Sequence, residues 1–361
     1  MEFGLFYVLE SPDGDFKRAY DEMLGQIEYA EELGFDSVWV AEHHSSSYGS
    51  IPSPQVALAA IAERTKKIKI GSLVSVLTLG NPIRIAEDYA MVDVISNGRL
   101  QFGVGRGYQP GEFEILGVDM HDTRARFKEE LEIIRGLWTN DTFTYNGKFY
   151  QLNDVSIRPT PIQSPPPIYV ASISPETFDI VAEMGLNVTA TPTLSTLDEL
   201  KVQLHDAREI LIQKGMKPED IDFPVNLQVH VAENAEVAYE RTGEYFNWYF
   251  DRVSSLVPGA KGEKTAKGYE AFADVAKNMS NITFEQMRQS GVIHVDGPQA
   301  LIEQIEDMQE QFGLKQLSTW HRVGGMSDKL VRESMEMMAK EVIPYFKEKE
   351  ANKKVKVGVS G

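Results

Sequence analysis

The sequence predicts an α/β fold, a (β/α)8 TIM barrel with an insertion near the active-site rim, and three observations carry that prediction. Short apolar runs alternate with helix-period segments almost from the first residue, the pattern of parallel βα units joined by right-handed crossovers. Eight such runs can be counted along the 361 residues, a length normal for a barrel with insertions. One of them, Val38-Trp39-Val40-Ala41, breaks off at Glu42-His43-His44. Titratable residues at the C-terminal end of a buried strand are where such barrels place their chemistry. An open doubly wound sheet is the competing arrangement.

The elements follow in order. Phe3–Leu9 reads as the first strand, and Asp15–Leu33 as a helix stopped by Gly34, a C-cap residue. Ser37–Ala41 is the second strand, Pro54–Arg64 an Ala-rich helix, Ile68–Val74 the third strand and Pro82–Ile95 a helix opened by proline. Leu100–Val104 and Thr123–Trp138 form the fourth pair. Phe143–Leu152 reads as a hairpin around Asn146-Gly147. The Pro-rich stretch Pro159–Pro167 leads into a fifth strand, Ile168–Ala171, and helix Pro175–Met184. Val188–Ala190, helix Leu197–Lys214 and strand Val225–Val231 come next, with Lys315–Trp320 as the eighth strand and Asp328–Phe346 as the closing helix. Residues 1–347 thus read as one barrel domain. The polar stretch Ser254–Ser290 fits neither a strand nor a barrel helix, and reads as an insertion at about 252–290, a mobile rim segment. Residues 348–361 are Lys-rich without apolar period and read as a disordered tail.

Composition removes several function classes. The chain is 42% hydrophobic and 25% charged, with 36 Lys plus Arg against 54 Asp plus Glu, a formal charge of −18. That balance disfavours nucleic acid and anionic membrane as partners. There is no cysteine, so disulfides, thiolate metal sites and a cysteine nucleophile are excluded. The N-terminal MEFGLFYVLE has no basic n-region, and no apolar run approaches the roughly 20 residues of a membrane span. A cytoplasmic location is the simplest reading.

Several motifs carry chemistry. Glu42, His43 and His44 are consecutive on an extended end, so their side chains alternate and cannot share one ion; no metal site is expected. Gly103-Val104-Gly105-Arg106-Gly107-Tyr108 follows the fourth strand. Its glycines admit close backbone approach and Arg106 offers a planar fork for phosphate, although a plain Gly-rich turn with a structural arginine explains it equally well. Ala171-Ser172-Ile173-Ser174-Pro175-Glu176-Thr177 follows the fifth strand. Ser174 suits an N-cap and Pro175 the first helical position, so the free amides there serve a phosphate or ordinary capping. Gly71–Val74 is either core or a backbone floor for a flat ring. On the seventh strand Asn226, Gln228 and His230 share one face, which in a barrel points inward and implies a polar cavity. Trp320, His321 and Arg322 end the eighth strand, lining a pocket or facing solvent.

At this point the chain resembles the bacterial luciferase-like flavin monooxygenases. The resemblance rests on Phe35–His44, Asn81–Asp88, Ser96–Leu100 continuing through Phe102–Tyr108, and Glu112-Phe113. It implies a (β/α)8 barrel holding reduced FMN (FMNH2) at the strand ends. The flavin would react with O2 to a C4a-peroxide that oxygenates a small organic substrate. It further implies a separate NAD(P)H:flavin reductase as partner and a homodimer, for which Pro54–Arg64 and Pro82–Ile95 offer small apolar faces. By this resemblance His43 is the active-site histidine, with His230 a second catalytic group. Arg106 and the Ser172, Ser174, Glu176 and Thr177 loop hold the phosphate. Leu73-Val74 lie under the ring system, where the family often has a non-prolyl cis peptide, and Tyr108 and Val170 lie beside the flavin. His44, Tyr48, Gln228, Trp320 and His321 would line the substrate pocket. Two positions depart from relatives within the family. Gln228 stands where alkanesulfonate monooxygenases carry arginine, which weakens a sulfonate assignment. Gly105 stands where luciferases carry a reactive cysteine, opening space by the flavin, and light emission is not expected. The alternatives are an F420-dependent hydride-transfer oxidoreductase, which shares the fold and the histidine position, and a flavin-binding protein without turnover.

Overall fold

The computed structural model describes residues 1–171, 175–191, 196–260, 265–266, 269 and 283–358, the side chains of 175–176 and 353–358 excepted. Nine strands form one curled, wholly parallel sheet. In chain order these are β1 (Glu2–Tyr7), β2 (Ser37–Val40), β3 (Lys69–Val76), β4 (Leu100–Gly105), β7 (Ile168–Ala171), β8 (Asn187–Thr189), β9 (Val225–Val231), β10 (Ile293–Asp296) and β11 (Gln316–Trp320), while β5 (Phe143–Asn146) and β6 (Gln151–Val155) make a separate antiparallel hairpin. The sheet runs β10-β9-β11-β1-β2-β3-β4-β7-β8, and one further parallel bridge, Ala190 to Val225, links the end of β8 back to β9.

Side-chain alternation explains the curl. Val38, Ile70 and Phe102 are fully buried against the helical layer, whereas the opposite face carries Trp39 among glycines. A Cβ on Gly71 would lie 2.6 Å from the Trp39 ring, and one on Gly103 would lie 2.0 Å from the Ser72 carbonyl oxygen. Gly71 thus leaves room for the indole, which meets the Tyr169 ring edge-on at 5.2 Å, and Gly103 lets β4 approach the β3 main chain.

The helices begin and end where side chains dictate. Helix α1 (Phe16–Leu33) is capped by Asp15, whose carboxylate accepts from the Arg18 N–H, and ends at Gly34 with φ 86°. Helices α2 (Pro54–Arg64) and α3 (Pro82–Ile95) both open with proline at the first position. The turn Asn97-Gly98 delivers Arg99, whose guanidinium donates to the carbonyls of Ala62 and Ile68 at 2.8 Å each. That motif therefore ties α2 to β3 and β4.

The structure departs from the sequence pattern in several places. Pro110–Leu116 forms a short helix, α4, between β4 and α5 (Thr123–Thr139). The strand Ile293–Asp296 and the helix Pro298–Phe312 precede β11, so the sheet has nine strands where the pattern predicts eight. The last helix, Ile343–Gly358, runs through the Lys-rich tail where disorder is predicted. Its polar residues have partners: Lys349 meets Glu306 at 2.6 Å, and Glu350 pairs with the amino group of Met1. Of the predicted rim insertion, residues 261–264, 267–268 and 270–282 lie outside the described residues, and its far end forms the short helix Phe284–Gln289. Among the described residues no helix is long and apolar enough to cross a membrane.

Candidate functional site

The loop after β2 turns back on itself, and His43 sits at its root. Its N–H bonds to the Ile51 carbonyl at 3.2 Å, and a bridge between Ser46 and Gly49 tightens the return. Gly49 packs on the imidazole so closely that a Cβ there would lie 2.6 Å from His43 Cβ. His43 is 8% exposed, and its Nδ1 lies 3.0 Å from Glu112 Oε1. The same oxygen accepts from the His44 backbone N–H at 2.9 Å. Gln109 Nε2 also approaches Nδ1, at 3.1 Å. A carboxylate only accepts, so this contact puts a proton on Nδ1, and the Gln109 Nε2 amide, itself a donor, does not bond the same nitrogen; in the neutral tautomer Nε2 is then the acceptor. Glu112 reaches this place because Pro110 starts α4 and the carboxylate falls in its first turn.

Glu42 and His44 form a second pair that faces away from the first. Glu42 Oε1 lies 3.1 Å from His44 Nε2, while Oε2 accepts from the Val76 N–H at 2.9 Å and the Ser75 hydroxyl at 3.3 Å. This hydrogen bond to Glu42 raises the His44 pKa. The Glu42 N–H in turn donates to the Val74 carbonyl at 3.2 Å. Glu42 therefore locks the end of β2 to the end of β3, where the Leu73-Val74 peptide is cis.

Beside this lock the end of β4 is pared to the backbone. A Cβ on Gly105 would fall 2.7 Å from Val74 Cγ2, so that glycine admits the Val74 methyl group and leaves no open space. The expected vacancy at Gly105 is filled by Val74. Gly107, with φ 76°, turns the chain just beyond Arg106, and the Thr78 hydroxyl holds the Arg106 carbonyl at 2.8 Å. Thr177, in the first turn of α6 (Pro175–Met184), is buried. This glycine-pared main-chain floor, with a cationic fork beyond it, fits a flat ring bearing a phosphate.

An aromatic wall leads from His43 across the strand ends. The Tyr48 ring lies 4.8 Å from the imidazole, Tyr108 meets it edge-on at 6.1 Å, Tyr249 lies 5.7 Å from Tyr48, and Trp320 lies 5.0 Å from Tyr249. Burial raises the phenol pKa of all three tyrosines. Trp320 pairs in register with Gln228, and paired residues of parallel strands face the same side. Gln228 and His230 are buried, and among the described residues neither amide atom of Gln228 nor either ring nitrogen of His230 has a hydrogen-bond partner. Burial, helped by the charge of Arg241, lowers the His230 pKa to about 4.

The structure therefore brings His43, Tyr48 and Tyr108 together, and connects them through Tyr249 to Trp320. It does not bring in His321. Consecutive strand residues face opposite sides, and His321 bonds Ser334 at 2.8 Å and Thr319 at 2.9 Å on the face away from Trp320. Burial holds its pKa down at about 3. Val170 pairs with Val104 and is buried on the side opposite Tyr169, so only its main chain is placed toward the interior. His44 engages Glu42 instead of the wall. Ser172, Ser174 and the side chain of Glu176 lie outside the described residues. Sequence reasoning used Glu112 only as part of a family motif, without a role in the site, and passed over Gln109 and Tyr249. The Gln109-Pro110-Gly111-Glu112 run holds a helix-start signal that could have exposed the first two, whereas Tyr249 sits in a helix so aromatic that it reads as core.

The family model described as luciferase-like monooxygenase matches residues 1–315. The oxygenase component of a flavin-dependent trigonelline monooxygenase from Acinetobacter baylyi is 30% identical, over 98% of each chain. A monooxygenase crystal structure from Streptomyces bottropensis superposes with a TM-score of 0.82 at 26% identity, covering 96% of this chain and 100% of its own. The oxygenating constituent of 3,6-diketocamphane monooxygenase from Pseudomonas putida, a type II Baeyer-Villiger enzyme solved with FMN, superposes at 0.75 with 22% identity, covering 95% and 98%. A family match over most of the chain, at a site built from the ends of adjacent parallel strands, identifies the protein as a member of the luciferase-like monooxygenase family.

Proposed function

We propose that the protein is the oxygenase component of a two-component flavin monooxygenase, using FMNH2 and O2 to oxygenate a small organic substrate. The observation that carries this reading is the placement of the His43–Glu112 pair and the Gly103–Arg106 floor at the ends of β2 and β4, the two strands that flank β3 in one sheet. In this reading β1, β2, β3, β4, β7, β8, β9 and β11 close as a (β/α)8 barrel through the Ala190–Val225 bridge, with β10 as an added strand. Arg106 and the loop Ser172–Thr177 hold the FMN phosphate. The main chain of Leu73, Val74 and Val170 borders the ring, with Tyr108 beside it. Reduced FMN bound there supplies the electrons that activate O2 for insertion into the substrate.

The residues of this chain bind, shield and manage protons. Glu112 keeps a proton on His43 Nδ1, so that Nε2 can accept a proton at the reacting centre or return one. Tyr48, Tyr108, Tyr249 and Trp320 exclude water. Gln228 and His230 offer donors and acceptors to a polar group of the substrate. His230 stays neutral in doing so, since its pKa of about 4 lies below working pH. A separate reductase supplying FMNH2 is supported by the relative's designation as an oxygenase component. A homodimer is supported by exposed Val56 on α2, by Met91, Val94 and Ile95 on α3, and by Ile162 close to Gly98.

Flavin fluorescence titration tests the assignment. Arg106→Ala should weaken FMN binding about 10- to 100-fold, the scale of a lost charged hydrogen-bond pair. His43→Ala should leave it near wild type. Equal affinity of wild type and Arg106→Ala would overturn the phosphate assignment, and tight binding of F420 in place of FMN would favour hydride transfer.

A further inference from the structure

One aromatic residue far along the chain from β4 is pinned against Arg106. Tyr269 is 1% exposed, and its ring centroid lies 5.0 Å from the Arg106 guanidinium carbon. Its hydroxyl lies 3.0 Å from Thr123 Oγ1, across 146 residues of chain. Thr123 Oγ1 is also 2.7 Å from the Met120 carbonyl, to which it must donate. A hydroxyl has a single proton, so the Tyr269 phenol is the donor to Thr123. The Tyr269 backbone N–H is satisfied as well, by the Ala266 carbonyl at 3.1 Å. The ring is thus fixed at its hydroxyl and at its main chain.

We infer that Tyr269 is a positioning residue for Arg106, a platform that fixes the plane of the guanidinium and dries one face of it for phosphate binding. This rests on the reading of Arg106 as the phosphate residue. The ring face lies against the guanidinium carbon and carries no acceptor that would compete with a phosphate for the N–H groups. Fixing that plane before the ligand arrives reduces the ordering cost of a bidentate contact. The ring face also attracts the cation directly. A residue with this role acts only through Arg106 and only on ligands that carry a phosphate.

FMN and riboflavin, which differ by the phosphate, are the probes, and affinity is read by fluorescence without turnover. Tyr269→Leu should weaken FMN binding about three- to tenfold, the scale of a partly buried cation–π contact. It should leave riboflavin binding unchanged, and Tyr269→Phe should retain most of the FMN affinity. In an Arg106→Ala background, Tyr269→Leu should have no further effect. If Tyr269→Leu fails to fold, Tyr269→Met, which keeps bulk but removes the ring face, carries the same prediction. The inference is overturned if FMN affinity is unaffected while Arg106→Ala weakens it, or if FMN and riboflavin weaken alike. Should Arg106→Ala itself leave FMN affinity intact, the phosphate reading falls and this inference falls with it.

Discussion

His43 is held by Glu112, a carboxylate 69 residues further along the chain, through a 3.0 Å contact from Nδ1 to Oε1. The same oxygen takes the His44 N–H, so a single buried carboxylate sets the tautomer of the ring and the course of its backbone. Glu112→Gln keeps the shape but removes the charge that demands a proton on Nδ1. A hydrogen bond to a charged group contributes about 1.5–3 kcal/mol, so kcat should fall roughly 10- to 100-fold while FMN affinity stays near wild type. Steady-state turnover combined with flavin titration checks this, and parallel loss of FMN binding would show that Glu112 acts on the cofactor instead.

Gly49 gives a steric test of the same histidine. An alanine methyl would begin 2.6 Å from His43 Cβ, inside van der Waals contact. Overpacking of this kind costs about 1–3 kcal/mol. Gly49→Ala should therefore move the imidazole and lower kcat at least tenfold, with little change in flavin affinity. Wild-type turnover in this variant would mean that the loop yields and the placement of His43 is not demanding.

The buried histidines set an acid limit on stability. Burial holds His230 at about 4 and His321 at about 3, against about 6.5 in an unfolded chain. For a base whose folded pKa is depressed, the unfolded state takes up the proton first as pH falls. Stability should therefore decline from about pH 6.5 down to about pH 4, each histidine contributing on the order of 3 kcal/mol. Urea denaturation at pH 7 and pH 5 should show the loss, and His230→Gln with His321→Gln should flatten it. An unchanged slope in the double variant would place the acid sensitivity elsewhere.

Glu10 makes the opposite prediction. Its buried carboxyl accepts from the Gly324 N–H at 3.3 Å, and its other oxygen has no hydrogen-bond partner among the described residues. Burial raises its pKa to about 8, an effect that the nearby Arg322 partly offsets. A raised carboxyl keeps its proton in the folded state, so its contribution is lost as pH rises from about 4.3 through about 8. Glu10→Gln should gain stability relative to wild type as pH rises from 6 to 9 in thermal melts. A constant difference between the two proteins across that range would contradict the assignment.

Much of the scaffold is legible in the sequence because local signals set it. Pro54 and Pro82 open their helices, Gly34 closes another, and the apolar run Val225–Val231 is a strand over its whole length. The strand Ile293–Asp296 is hidden because it has four residues, two of them polar, and pairs only with the far half of β9. Position 105 shows the limit at the site: a glycine signals close approach, and only the fold reveals that the approaching group is Val74. Trp320 and His321 are adjacent in sequence, yet strand alternation sends them to opposite faces. The Glu112 partnership is non-local, and no periodicity records it.

The most direct test of the central claim is to load the protein with FMNH2 without oxygen and mix it with air-saturated buffer, following flavin absorbance. The account predicts a flavin-derived transient that outlasts the oxidation of free FMNH2 and is weakened or shortened in His43→Ala. Oxidation at the rate of free flavin in the wild-type protein, together with tight binding of F420, would contradict it.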